Sequence, residues 1–309
     1  MLAFDVGGTD IKAALVDDFG TICDLVRVST QLAGENTADA VVAQVCGLGQ
    51  RLRTSYPAIR PEAAGLLVPG EVDDEAGVGV FSENLGWRNY PFRDRVESLL
   101  NLPVAFGHDV RVAGEAERQI GAAAPFADVV VMTIGTGIAG AIFIGGEVYT
   151  GSGLAGEMGH SKVADAPDCA CGGRGCLEAV ASAAAIARRY MQATGRVVSG
   201  AKDVLDRAAH GEPIAIEVWE SALDALALDL SHTITLLAPE AIVLGGGLSQ
   251  AGAALFEPLE RRLDAILTFQ RRPRLLSASL GENAGVLGAA LRARKLAAKN
   301  STDRRVGTA

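Results

Sequence analysis

Hydrophobic positions along this chain switch repeatedly between the alternation of a strand and the spacing of a helix. Leu2-Ala3-Phe4-Asp5-Val6 reads as a short buried strand, Gly7-Gly8-Thr9-Asp10 as a turn, and Ile11-Lys12-Ala13-Ala14-Leu15-Val16 as a second strand. The same plan returns at Val129-Val130-Val131-Met132-Thr133-Ile134, the turn Gly135-Thr136-Gly137 and the run 138–144, which points to two related halves. Later, Ala241-Ile242-Val243-Leu244 forms a further strand followed by Gly245-Gly246-Gly247. The stretch before it, 217–237, carries apolar residues at helical spacing and stops ahead of Pro239. Helical spacing also predicts helices at 38–53, 111–120, 177–192, 253–267 and 284–298, and Val104-Ala105-Phe106-Gly107 reads as a strand. Strands alternating with helices in this way specify an α/β fold with helices covering both sheets.

The first two glycine loops each join two strands. A Walker A loop or a dinucleotide fingerprint has its glycines opening a helix, so neither reading fits this context. A glycine hairpin with a Thr and exposed backbone amides can instead wrap phosphate oxygens, and two such hairpins could hold a triphosphate from both sides. Each loop alone also suits an ordinary hairpin turn. The bare Gly245-Gly246-Gly247 loop suits either close approach by a flat base or ribose, or a helix-capping turn.

Composition narrows the class. The chain has 309 residues, 49% hydrophobic, with a net charge of -9 and only 5% aromatic residues. Such a length supports a sizeable core over two domains, and an acidic surface disfavours nucleic acid as a main partner. The basic cluster at 292–299, with Arg304 and Arg305, reads as a solvated last helix, and the final stretch 301–309 as loosely ordered. No apolar run reaches the length of a membrane span and nothing at the N-terminus reads as a signal peptide, so the protein is expected free in the cytoplasm. Of the five cysteines, Cys169, Cys171 and Cys176 follow His160 with the spacing H-x8-C-x-C-x4-C. That is a Cys3His set of the kind Zn2+ takes in structural sites, with glycines at 172, 173 and 175 allowing tight turns. A disulfide or a set of inert thiols is the competing reading, and disulfides are rare in the cytosol. Cys23 and Cys46 read as core residues.

Asp5-x-Gly7-Gly8-Thr9-x-x-Lys12, Gly135-Thr136-Gly137, the pair Glu157 and His160, the run Cys169-Ala170-Cys171-Gly172-Gly173-Arg174-Gly175-Cys176-Leu177-Glu178 and Gly245-Gly246-Gly247 occur in one order along nearly the whole chain. Together they resemble the ROK family (repressor, open reading frame, kinase). The resemblance implies a two-domain, actin-like ATPase (ribonuclease-H-like) α/β fold with a cleft between domains. It implies a smaller domain over 1–108, joined by a C-terminal helix at about 288–300, and a larger one over 109–287 that holds the zinc loop. It further implies transfer of a phosphoryl group from ATP, with Mg2+, to the 6-hydroxyl of a hexose. Glucose is the leading acceptor, and N-acetylmannosamine or another hexose or N-acetylhexosamine is the alternative.

By the same resemblance Asp109 is the catalytic base, and Asn84, His108, Asp109, Glu157, His160 and Glu178 line the sugar. Asp5, Gly7, Gly8, Thr9, Lys12, Gly135, Thr136, Gly137, Gly245, Gly246 and Gly247 serve the nucleotide and Mg2+. His160 bridges sugar and zinc. On its own, Asp109 equally suits a helix N-cap, and Pro69-Gly70-Glu71-Val72-Asp73 suits either a sugar-side loop or a plain turn. Trp87 either borders the pocket or packs in the core. The chain departs from the family where His108 takes the place of a common Asn and Arg111 that of a small or amide residue. A sugar-responsive regulator is the alternative of another class. Family repressors carry an N-terminal helix-turn-helix, for which a phosphate loop beginning at Asp5 leaves no room. The resemblance also implies a homodimer or homotetramer.

Overall fold

The computed structural model describes residues 1–306, with side chains through Thr302. In chain order the elements are β1 (Leu2–Val6), β2 (Asp10–Val16), β3 (Ile22–Ser29), α1 (Thr37–Ser55), β4 (Ala64–Val68), β5 (Glu71–Asp73), β6 (Val78–Ser82), β7 (Trp87–Tyr90), α2 (Phe92–Leu100), β8 (Val104–His108) and α3 (Asp109–Ile120). They continue with β9 (Val129–Ile134), β10 (Ile138–Ile144), β11 (Glu147–Tyr149), α4 (Leu177–Ala181), α5 (Ala183–Thr194), α6 (Ala201–Ala209), α7 (Pro213–Leu237), β12 (Ala241–Gly245), α8 (Ala253–Ile266), β13 (Arg274–Ser277) and α9 (Ala284–Val306).

The chain divides into two units, Met1–Ala116 with Glu282–Ala309, and Glu117–Gly281. The expected cut at 108/109 coincides with the junction of β8 and α3, whereas the units part inside α3. The first turns of α3 stay with the first sheet because Val112 is buried in the cluster that α9 forms on it. The second crossing falls at Gly281/Glu282, ahead of α9, so the whole of that helix belongs to the first unit.

In the first unit a sheet of order β3-β2-β1-β4-β8 has β1 antiparallel to β2 and parallel to β4, with β4 parallel to β8. Side chains alternate across β1: Leu2, Phe4 and Val6 join the cluster containing α1 and α2, while Ala3 faces Val286, Ala289 and Ala293 of α9. Every residue of β4 is buried, as befits a strand covered on both faces. A small antiparallel sheet, β5-β6-β7, follows β4. Trp87 packs edge-on against Phe92 with ring centroids 4.8 Å apart, so it is a core residue of this unit.

The second unit repeats the plan with order β11-β10-β9-β12-β13, again antiparallel on one side of the first strand and parallel on the other. Val130, Met132 and Ile134 point into a core built with α5, α7 and α8, while Val129 and Val131 turn to the opposite face. Helix α7 begins with Pro213, whose missing N–H costs nothing at that position. The helix expected over 177–192 is broken. Ser182 is extended, at φ -65° and ψ 155°, and its hydroxyl accepts the N–H of Ala185, so it ends α4 and caps α5. Helix α9 continues to Val306, so the expected loose stretch is helical over 301–306. Residues 307–309 and the side chains of Arg304 and Arg305 lie outside the described residues. No helix among the described residues is long and apolar enough to cross a membrane.

Candidate active site

In the first unit, most of the expected functional residues lie at the end of β1, in the turn into β2 and where β8 passes into α3. The turn after β1 is closed by the Gly7 N–H donating to Asp10 O at 2.8 Å. It is pinned from β3 by Thr30, whose N–H bonds Thr9 O and whose hydroxyl bonds Gly7 O, both at 2.8 Å. Lys12 donates to the Glu282 carbonyl at 2.6 Å. Asp109 opens α3, where its Oδ1 accepts the N–H of Val110 at 2.7 Å. The cap of that helix is the preceding residue: His108 Nδ1 accepts the Arg111 N–H at 3.2 Å, a role the sequence had suggested for Asp109. Accepting at Nδ1 leaves the ring proton on Nε2, which stands 3.4 Å from Asp109 Oδ1. Asn84 is exposed on the turn between β6 and β7.

Burial pushes the Asp109 carboxyl up to about 6, partly opposed by backbone N–H donors and by the Arg111 guanidinium. Asp5 is likewise raised to about 6, by burial first and then by the Asp109 charge, against the pull of Lys12. Two carboxyls raised by burial, that of Asp5 also by the Asp109 charge, suit a divalent cation such as Mg2+, which takes oxygen ligands.

A partly buried ion-pair network fixes the backbone around Asp109. Arg292 of α9 forks onto Glu115 with bonds of 2.8 and 2.5 Å, reaches Asp74 at 2.7 Å, and donates to the Phe106 carbonyl at 2.9 Å. Asp74 takes a second guanidinium, that of Arg111, at 2.7 Å. Helix α9, the end of β8, the start of α3 and the segment after β5 are thus tied together around Asp109. Asp74, Glu115, Arg292 and Thr30 were missed from sequence; charged residues so far apart along a chain give no local pattern.

In the second unit, Gly135-Thr136-Gly137 closes with the Gly135 N–H donating to Gly137 O at 2.9 Å. Glu178, in the first turn of α4, accepts the Ile138 N–H at 2.8 Å. The Gly245-Gly246-Gly247 loop ends β12, with Gly246 at φ 79° and its carbonyl taken by the Ser249 hydroxyl at 2.8 Å.

The metal ligands expected from spacing do converge: the ligand atoms of His160, Cys169, Cys171 and Cys176 all lie within 4.8 Å of one another. Cys171 and Cys176 sulfurs are 3.7 Å apart, close to the ~3.8 Å edge of a tetrahedron with bonds of about 2.3 Å to Zn2+. His160 turns Nδ1 to Cys169, at 3.8 Å, and Nε2 to Glu157, at 3.9 Å. The backbone N–H of Gly173 draws the Cys171 thiol down, easing loss of its proton, whereas burial holds that of Cys176 up. Gly175 is at φ 73° and a side chain there would sit 1.7 Å from the Ala164 carbonyl oxygen, so no other residue permits this turn. The donor set and spacing fit structural zinc.

The sequence model of the ROK family matches residues 1–295. A glucokinase from Thermotoga maritima is 33% identical over 308 residues, covering 94% of this chain and 96% of that protein. An N-acetylmannosamine kinase from Escherichia coli is 31% identical over 297 residues, covering 94% of this chain and 97% of that protein. The crystal structure of a ROK family glucokinase from Streptomyces griseus in complex with glucose and AMPPNP matches with TM-score 0.80 and 32% identity, covering 96% of this chain and 99% of that one. The architecture is accordingly that of the two-domain, actin-like ATPase fold.

Proposed function

Because this chain belongs to the ROK family, we propose that it is a sugar kinase that transfers the γ-phosphoryl group of ATP to the 6-hydroxyl of a hexose, with glucose the leading acceptor. The observation that carries this reading is the Asp109 carboxylate, half-buried at the start of α3 beside Asp5, in a chain similar over almost its full length to a glucokinase in complex with glucose and AMPPNP.

Asp109 receives the proton of the attacking hydroxyl. A carboxylate serves because phosphoryl transfer rests mainly on positioning and charge stabilisation. The amides of Gly7, Gly8 and Thr9 and those of Gly135, Thr136 and Gly137 hold phosphate oxygens, with Lys12 adding positive charge. Gly245, Gly246 and Gly247 leave room for the adenosine. Asn84, His108, Glu157, His160 and Glu178 pair with sugar hydroxyls, where each unpaired buried hydroxyl would cost roughly 1–3 kcal/mol. When bound, Mg2+ neutralises charge on the transferring phosphate, and Asp5 is the carboxylate placed to hold it. Zinc held by Cys169, Cys171, Cys176 and His160 fixes the wall that carries Glu157 and Glu178. The protein is placed in the cytoplasm, as a homodimer or homotetramer whose mass light scattering would measure.

N-Acetylmannosamine is the second reading, favoured by the relative from Escherichia coli. ADP release measured with ATP and Mg2+ across glucose, mannose, fructose, glucosamine, N-acetylglucosamine and N-acetylmannosamine separates the two. Turnover highest on glucose supports the first, and highest on N-acetylmannosamine the second. Turnover on none of the six would count against both.

A further inference from the structure

Glu178, read above as a sugar ligand, also bonds the end of the Gly135-Thr136-Gly137 loop. Its Oε2 accepts the Ile138 N–H at 2.8 Å, directly after Gly137. A side chain added at Gly137 would lie 2.5 Å from Oε2 but 3.9 Å from Oε1, so the carboxylate rests one oxygen on the loop and turns the other away. The opposite end of the loop is held from the same segment: the Gly135 carbonyl accepts the N–H of Ala183, the first residue of α5, at 2.9 Å. A carboxylate has lone pairs to spare on both oxygens, so Oε2 can keep the loop while Oε1 takes a hydroxyl.

We propose that Glu178 is a positioning residue for the Gly135-Thr136-Gly137 loop, so that hexose and nucleotide phosphates are coupled through this one carboxylate. The inference rests on the reading of Glu178 as a sugar ligand. A hexose that fixes Oε1 also fixes the loop hung on Oε2, and ATP then meets amides already in place. The coupling is reciprocal: whatever factor the sugar adds to nucleotide affinity, the nucleotide adds to sugar affinity.

Gly137→Ala tests the link from the far side. Gly137 has no positive φ, so alanine is sterically acceptable to the backbone, but its methyl must push Oε2 aside. Calorimetry with glucose and no nucleotide should show affinity weakened about tenfold in this variant, as expected when a charged hydrogen bond is misplaced. In the wild-type protein, AMPPNP should bind at least about fivefold more tightly with glucose present than without it. Equal AMPPNP affinity with and without glucose in the wild type would overturn the proposal, and that measurement needs no variant to fold. So would wild-type glucose affinity in Gly137→Ala alongside loss of glucose binding in Glu178→Gln, a result that leaves Glu178 a sugar ligand. Glu178→Gln binding glucose as tightly as wild type would instead remove the sugar-ligand reading and this proposal with it.

Discussion

Asp5 and Asp109 set how the site responds to pH. On the proposed reading Asp109 is the base and must be ionised, and its carboxyl is raised to about 6 by burial, against the pull of Arg111. The rate kcat/KM should therefore fall tenfold per pH unit below about 6, and a pH–rate profile flat down to about pH 4.5 would contradict that assignment. Stability runs the other way. Both carboxyls move from 3.8 to about 6 on folding, so across that window the folded state binds more protons than the unfolded chain. The ligand-free protein then loses stability as pH rises through the window. Asp5→Asn should raise the unfolding free energy at about pH 7.5 by an amount on the order of 2 kcal/mol, and give little gain at about pH 4; differential scanning calorimetry at the two pH values reads this. The family was legible in sequence, because Asp5, Asp109, Glu157, His160 and Glu178 sit in motifs whose order is recognisable. What it hid was geometry: that His108 caps α3, and that Glu178 leans on the phosphate loop.

Elements with a long periodic stretch, such as α1, α7 and α8, were read to within a few residues. Helices α2 and α6 were not, since each has nine residues, too few turns for a pattern to stand out. The break at Ser182 was hidden because both sides of it are apolar, and one hydroxyl decides it. The tie between α9 and β8 was invisible for another reason: it is made of charges, which sequence reading assigns to the surface. Arg292→Ala leaves Glu115 and Asp74 partly buried without their shared guanidinium and should destabilise by about 3 kcal/mol, measured by urea unfolding; a change under about 1 kcal/mol would mean the pair is solvated. On the proposed reading the loop with Cys169, Cys171 and Cys176 is held by metal ligation rather than by a core. Cys171→Ser should lower bound zinc below one equivalent by elemental analysis and weaken glucose binding. Full zinc with unchanged affinity would refute the ligand set.

Across the whole molecule one plan appears twice. Strand order and direction are the same in β3-β2-β1-β4-β8 and β11-β10-β9-β12-β13, and in each sheet a glycine turn joins the first two strands. That repetition was foreshadowed by two strand–glycine–strand stretches, but the parallel strands completing each sheet have no mutual sequence signature. On the proposed reading each unit supplies one glycine loop for phosphate, and the first also supplies the base. The direct test is product formation by the wild-type protein and Asp109→Asn with ATP, Mg2+ and glucose, followed by phosphorus NMR. The account predicts a 6-phosphorylated sugar from the wild type, a loss of about 10²–10⁴ in kcat in the variant, and little change in glucose affinity. Phosphorylation by Asp109→Asn at near wild-type rate would contradict it.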